Sequence, residues 1–194
     1  MGILGRAAGV VGGPRVLSLY NALVLPHLQY CLMVWGDFQE GRNVAMGEAL
    51  LRHQKRIAGF IAVERGRYHA DPLFARFGII KIGDLYKQQL RIYGWRFWNN
   101  RLPASQAALL SRVSSIHCHN TRAAGKELFM STQDQRSISY RVPKEWQGTA
   151  DELKNSKALG SFKKKSKQGF LATYKAFSCQ EGACFVCRGM EADG

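Results

Sequence analysis

Three groups of residues in this sequence have types and spacings that could do chemistry or bind a charged partner. The tail CQEGACFVC sets Cys179, Cys184 and Cys187 as Cys-x4-Cys-x2-Cys. A closed structural zinc site takes four nitrogen or sulfur ligands. The tail alone is one ligand short, and His117, Cys118 or His119 of the segment IHCHNTR would have to complete the set. Otherwise these are inert or redox-exposed thiols. IHCHNTR itself sets a cysteine between two histidines, a conceivable nucleophile and base. Neighbours in sequence rarely face each other productively, however, and no orienting acid stands near. The segment reads better as a structural loop or one that touches a polyanion, with Arg122 as the contact.

The second group is the carboxylates. Phosphoryl transfer with two metal ions needs acids clustered around them. The chain has no Asp-Asp pair, and its only adjacent acids, Asp151 and Glu152, precede lysines as a solvated helix start would. Walker loop, GxGxxG, HExxH and GxSxG patterns are all missing. A self-contained catalytic site is therefore not expected. The third group is cationic. Arg52, Lys55 and Arg56 form one cluster, and Lys163, Lys164, Lys165 and Lys167 form another. Each packs positive charge into about one helical turn, which nucleic-acid backbones reward through counterion release without sequence preference. Either cluster alone could equally be a solvated face.

The global charge favours binding. Of 194 residues, 28 are Lys or Arg and 14 are Asp or Glu, a net charge of +14. Residues 1–100 and 101–194 each carry +7, so this is not a basic tail on a neutral body. Such a surface attracts polyanions, either nucleic acid or an anionic membrane face. A hydrophobic content of 46% argues against wholesale disorder. Five cysteines, an odd number, and a leader too weakly apolar for a signal peptide point to free thiols in an intracellular compartment. Gly2 is no myristoylation signal, because Arg6 stands where Ser or Thr is wanted.

The elements that would carry these groups are mostly helical. Residues 1–14 are Gly-rich and read as a flexible leader. LYNALVLPHLQYCLMVWG (19–36) sits in a helix over about 15–36, with Leu17, Tyr20, Val24, Leu28, Cys31 and Trp35 at helical spacing. Asn21, Pro26, His27 and Gln29 interrupt it too often for a membrane span. A helix buried on most of its circumference, kinked at Pro26, fits better. A second helix (46–61) sets Leu50, Ile57 and Ile61 opposite Arg52, Lys55 and Arg56. Asp71-Pro72 reads as N-cap and first position of a short helix, and Asp84 as the cap of a helix over 84–100. In the latter, Trp95, Phe97 and Trp98 could stack bases, but an amphipathic helix makes core packing their default. The expected division is a helical region over 15–102 and a loose connector over 103–150 with a short strand in RSISYRVP. A basic amphipathic helix over 151–178 and a cysteine tail over 179–194 follow.

LYNALVLPHLQYCLMVWG, HQKRIAGFI, ADPLFARFGIIKIGDLYKQQ, NTR and YRVPKEW followed by SFKKKSK occur in that order. With this set the chain resembles the part of non-LTR (LINE-type) retrotransposon reverse transcriptases that lies C-terminal to the catalytic palm. It is most similar to the jockey-like and Rex/CR1-like groups over most of residues 16–175. The resemblance implies an RNA-directed DNA polymerase as parent, usually with an endonuclease upstream. It also implies a helical, thumb-like bundle that packs beside a template–primer duplex. The parent's divalent metal would be held by the Asp-Asp motif of a palm that this chain lacks, so no catalytic residue carries over. The family usually follows its late tryptophan with asparagine, whereas Gln147 follows Trp146 here.

The expectation is a retroelement fragment, inactive as a polymerase on its own, that binds RNA, DNA or RNA–DNA hybrid in the nucleus or cytoplasm. The palm of a full-length reverse transcriptase is a further expected partner, and a membrane is not. The alternatives are a small zinc-assisted protein-interaction module or a non-functional decayed retroelement product.

Overall fold

The computed structural model describes residues 2–38, 43–62, 69–116 and 127–175. The fold is mostly α, and among the described residues the only extended pairing is an isolated antiparallel bridge between Arg112 and Leu128. No helix among them is long and apolar enough to cross a membrane. The chain forms two compact units. The first is Met1–Tyr86 with Lys167–Gly194, and the second is Lys87–Ser166.

In the first unit the expected leader is a helix, α1 (Gly2–Val11), followed by α2 (Gly13–Leu19). Glycine in a helix interior costs about 1 kcal/mol relative to alanine, which argued for a flexible start. Here glycine permits close approach instead. A Cβ on Gly13 would lie 2.1 Å from the Ile61 carbonyl oxygen, and one on Gly5 would lie 3.4 Å from the Phe60 ring. Leu4 and Val16 are thereby buried beside Ile57, Ala58 and Ile61 of α5 (Val44–Ala62).

The expected continuous helix over 15–36 is broken in two places. Pro26 has no N–H, and its ring would clash with the carbonyl four residues back. The chain widens to a π-turn over Tyr20–Val24, with the Leu25 N–H bonded to the Tyr20 carbonyl, before α3 (Leu25–Gln29). Tyr30 is extended and Cys31 left-handed at φ 49°, which separates α3 from α4 (Leu32–Trp35). The Trp35 indole N–H closes this corner on the Tyr30 carbonyl at 2.8 Å. The stretch is not buried on most of its circumference. Tyr20 and Leu32 are inside, whereas Leu23, Tyr30 and Val34 are 54%, 75% and 74% exposed. Two helix breaks in sixteen residues turn successive apolar side chains in different directions, so no single wheel describes them.

Helix α6 (Ala70–Phe77) begins one residue before Asp71, with His69 as N-cap, so Asp71 lies in its first turn rather than capping it. It ends at Gly78, whose φ of 64° lets the Ile79 N–H reach the Phe74 carbonyl at 2.9 Å. Helix α7 (Ile82–Trp98) likewise starts before Asp84. Side chains from elsewhere in the unit satisfy the N–H groups at its start. Gln54 of α5, 1% exposed, accepts the Ile82 N–H at 2.8 Å and donates to the Ile80 carbonyl and the Tyr20 hydroxyl. Tyr174 accepts the Lys81 N–H at 3.3 Å.

The second unit is built around tryptophan. Its helices are residues 87–98 of α7, α8 (Ala104–Ala107), α9 (Val113–Ile116), α10 (Ile138–Gln147), α11 (Asp151–Lys154) and the start of α12 (Leu159–Lys175). Trp95, Trp146 and Phe162 are fully buried, with Phe162 6.0 Å from Trp95 and 6.5 Å from Trp146 between ring centroids. Gly94 makes room for Trp146, because a Cβ there would lie 2.8 Å from the indole. The expected strand in RSISYRVP is instead α10. Val142 and Trp146, four apart, point inward as one helical stripe. Pro143 leaves the Ser139 carbonyl without its helical partner, and the Ser131 N–H fills that place at 3.1 Å.

Candidate nucleic-acid interface

Helix α5 turns Ile57, Ala58 and Ile61 inward, which leaves Arg52, Lys55 and Arg56 exposed as the periodicity predicts. Arg52 sits 3.8 Å from Glu48, one helical turn away, in a solvent-screened pair that neutralises part of this cluster. On α12 the buried positions are Phe162 and Ser166 in the second unit, and Phe170 and Tyr174 in the first. In each unit the buried pair, four residues apart, leaves the neighbouring lysines outward, Lys163, Lys164 and Lys165 in the second and Lys167 in the first. Among the described residues none of these four lysines pairs with a carboxylate. Arg122 and the three tail cysteines, Cys179, Cys184 and Cys187, lie outside the described residues, as do His117, Cys118 and His119.

The aromatic rings near the cations are withdrawn from solvent. Trp95 is 0% exposed, and its indole N–H donates to the Ser156 carbonyl at 3.0 Å. Trp98 is half-buried, 6.2 Å from Trp146 on one side, with the Arg112 guanidinium 4.9 Å from its centroid. Arg112 also donates to the Trp98 carbonyl at 2.9 Å, closing the C-terminus of α7. Core packing therefore decides the role of Trp95, which cannot stack on a base. The lysines of α12 present charge without an aromatic platform, a surface suited to phosphates rather than base edges.

Several polar groups that the sequence did not reveal are structural. In the first unit Lys81 pairs with Asp71 at 2.8 Å and lies 4.4 Å from the centroid of the Tyr174 ring, while the Tyr174 hydroxyl donates to Asp84. Burial pushes the Tyr174 hydroxyl pKa well above the usual tyrosine value, and the Asp84 carboxylate adds to the rise. Burial raises Tyr20 in the same direction, opposed by its hydrogen bond from Gln54. In the second unit Arg91 pairs with Glu145 at 2.6 Å. These carboxylates are each engaged by a cation or a hydroxyl. Among the described residues no three His, Cys, Asp or Glu side chains are grouped as metal ligands would be. Only the fold brings Asp71, Lys81, Asp84 and Tyr174 together, because Tyr174 lies ninety residues from Asp84.

Compared with known proteins, the chain matches no protein-family model, no curated protein and no solved structure.

Proposed function

We propose that this chain is a portion of a LINE-type retrotransposon reverse transcriptase from beyond the catalytic palm, and that it binds RNA, DNA or RNA–DNA hybrid electrostatically. The observation that carries the reading is the outward run Lys163, Lys164, Lys165 and Lys167 on a helix fixed by four buried side chains. The helix holds these cations on the solvent side, and each phosphate they neutralise releases a counterion. The helical architecture supports a thumb-like role, and the ordered set of sequence segments supports the retroelement origin. In that reading the palm of a full-length enzyme is a protein partner, and the site of action is the nucleus or cytoplasm.

Two assays on the full chain test this. Binding of a labelled 20-base-pair RNA–DNA hybrid, followed by anisotropy between 50 and 300 mM NaCl, is expected to weaken steeply with salt. Salt-insensitive or absent binding refutes the proposal. Primer extension with the same hybrid, magnesium and nucleotides is expected to give no product, and any extension overturns the assignment of the chain to a palm-less region.

A further inference from the structure

Charge that is even along the sequence is uneven in the fold. The second unit, Lys87–Ser166, holds fifteen Lys and Arg against five Asp and Glu, a net +10. The first unit holds the other thirteen against nine, a net +4 over a longer stretch of chain. Within the second unit Arg91 pairs with Glu145 and Lys154 with Asp151. The surroundings of the buried Trp95 gather several of the rest from three segments. Arg96 adjoins it in sequence, and the Arg101 guanidinium lies 5.8 Å from its ring centroid. Lys157 follows Ser156, whose carbonyl accepts the Trp95 N–H. Lys163 follows Phe162, which packs on the Trp95 ring, and its carbonyl accepts the Gln88 amide at 3.3 Å. Arg96, Arg101, Lys157, Lys163, Lys164 and Lys165 are all exposed, while Trp95, Trp146 and Phe162 are not.

We infer that the second unit alone carries the nucleic-acid site, a phosphate-backbone surface formed by these six exposed cations on the segments that pack on Trp95, and that Arg52, Lys55 and Arg56 of the first unit contribute little. The inference rests on the nucleic-acid reading given above. Cations drawn from three segments spread over a surface, and a polymer of regularly spaced phosphates engages several of them at once. Nucleic acid is favoured over an anionic membrane because Trp95, Trp146 and Phe162, the large apolar side chains at this place, face inward and cannot insert into lipid. With its rings withdrawn, the surface does not distinguish bases.

The test compares two charge-neutralised variants of the full chain, Lys157→Gln/Lys163→Gln/Lys164→Gln and Arg52→Gln/Lys55→Gln/Arg56→Gln. Affinity for a 20-base-pair duplex is measured against NaCl concentration. Losing three phosphate contacts should lower the slope of log K against log salt by about 2 to 3, since each contributes ~0.9. The first variant is expected to show that loss and the second a change below about 1. Equal losses, or a larger loss from the α5 variant, overturn the localisation while leaving nucleic-acid binding intact. A wild-type chain that fails to bind the duplex removes both. Lys157→Gln/Lys164→Gln, altering two exposed positions, provides the same comparison if the triple variant does not fold, with an expected fall of about 2. Vesicles of phosphatidylserine and phosphatidylcholine form a further arm, and tighter binding to them than to duplex overturns the choice of ligand.

Discussion

Replacing Gln54 with leucine removes a side chain whose amide ties three segments of the first unit together. The amide nitrogen donates to the Ile80 carbonyl at 3.0 Å and to the Tyr20 hydroxyl at 3.1 Å, and the amide oxygen accepts the Ile82 N–H at 2.8 Å. Leucine fills a similar volume but satisfies none of these groups. Each buried backbone group left unpaired costs about 1–3 kcal/mol. With the Ile80 carbonyl and the Ile82 N–H both stranded, the gross loss is about 2–6 kcal/mol. Burying leucine in place of an amide returns roughly 1–2 kcal/mol. The expected net destabilisation is therefore about 1–4 kcal/mol. Urea unfolding followed by far-ultraviolet circular dichroism measures it. With a slope of about 2 kcal/mol/M, the midpoint falls by roughly 0.5–2 M. Tyr20→Phe should cost only about 1 kcal/mol, and the double variant should cost less than the sum, because both changes cut the same bond. A Gln54→Leu variant as stable as the wild type would refute the claim that this amide, rather than apolar packing alone, holds the π-turn against the start of α7.

Gly94→Ala puts a methyl group 2.8 Å from the Trp146 ring and is expected to destabilise the second unit by about 1–3 kcal/mol, read from tryptophan emission during denaturation. Tyr174→Phe leaves the Lys81 N–H and the Asp84 carboxylate without the hydroxyl and should cost about 1–3 kcal/mol at neutral pH. The folded-state pKa of Tyr174 is raised, so its stabilising effect is complete below the unfolded value of about 10 and is lost as pH rises past it. Alkaline melts should therefore show the wild type losing stability more steeply above pH ~10 than the phenylalanine variant. Val34→Ser, at a site 74% exposed, should change stability by less than about 0.5 kcal/mol while reducing self-association in sedimentation runs.

The sequence revealed helices most clearly where one stripe meets one core. The outward cations of α5 and α12 follow directly from 3.6-residue periodicity, as does the inward placement of Phe162, Phe170 and Tyr174. It failed where contacts distant in the chain decide the local structure. Glycines that weaken α1 and α2 in isolation are the residues that let Gly5 approach Phe60 and Gly13 approach Ile61. RSISYRVP has the β-branched and aromatic content of a strand, yet Val142 and Trp146 find their partners only on a helical stripe. Gln54 looks like a polar residue on an amphipathic helix until the loose N–H groups of α7 are brought to it.

The same reasoning explains why the candidate interface was only half legible. Counting charge along the chain gave +7 in each half, which argued for binding by the whole surface. Folding groups residues by contact rather than by order, so the net-neutral segment Lys167–Gly194 falls in the first unit, while Lys87, Arg91 and Arg96 join the basic residues of 101–166. The middle of the chain is left with three basic residues for each acidic one. Sequence clusters such as Lys163–Lys165 survive this regrouping because a helix keeps neighbours together. Arg101 and Lys157 had no cluster to mark them, and only the fold brings Arg101 and the Ser156 carbonyl that precedes Lys157 to Trp95, on which Phe162 of α12 also packs. In the proposed binding surface, a tryptophan that first looked like a base-stacking ring acts from inside the core, by holding together the segments that carry the charges.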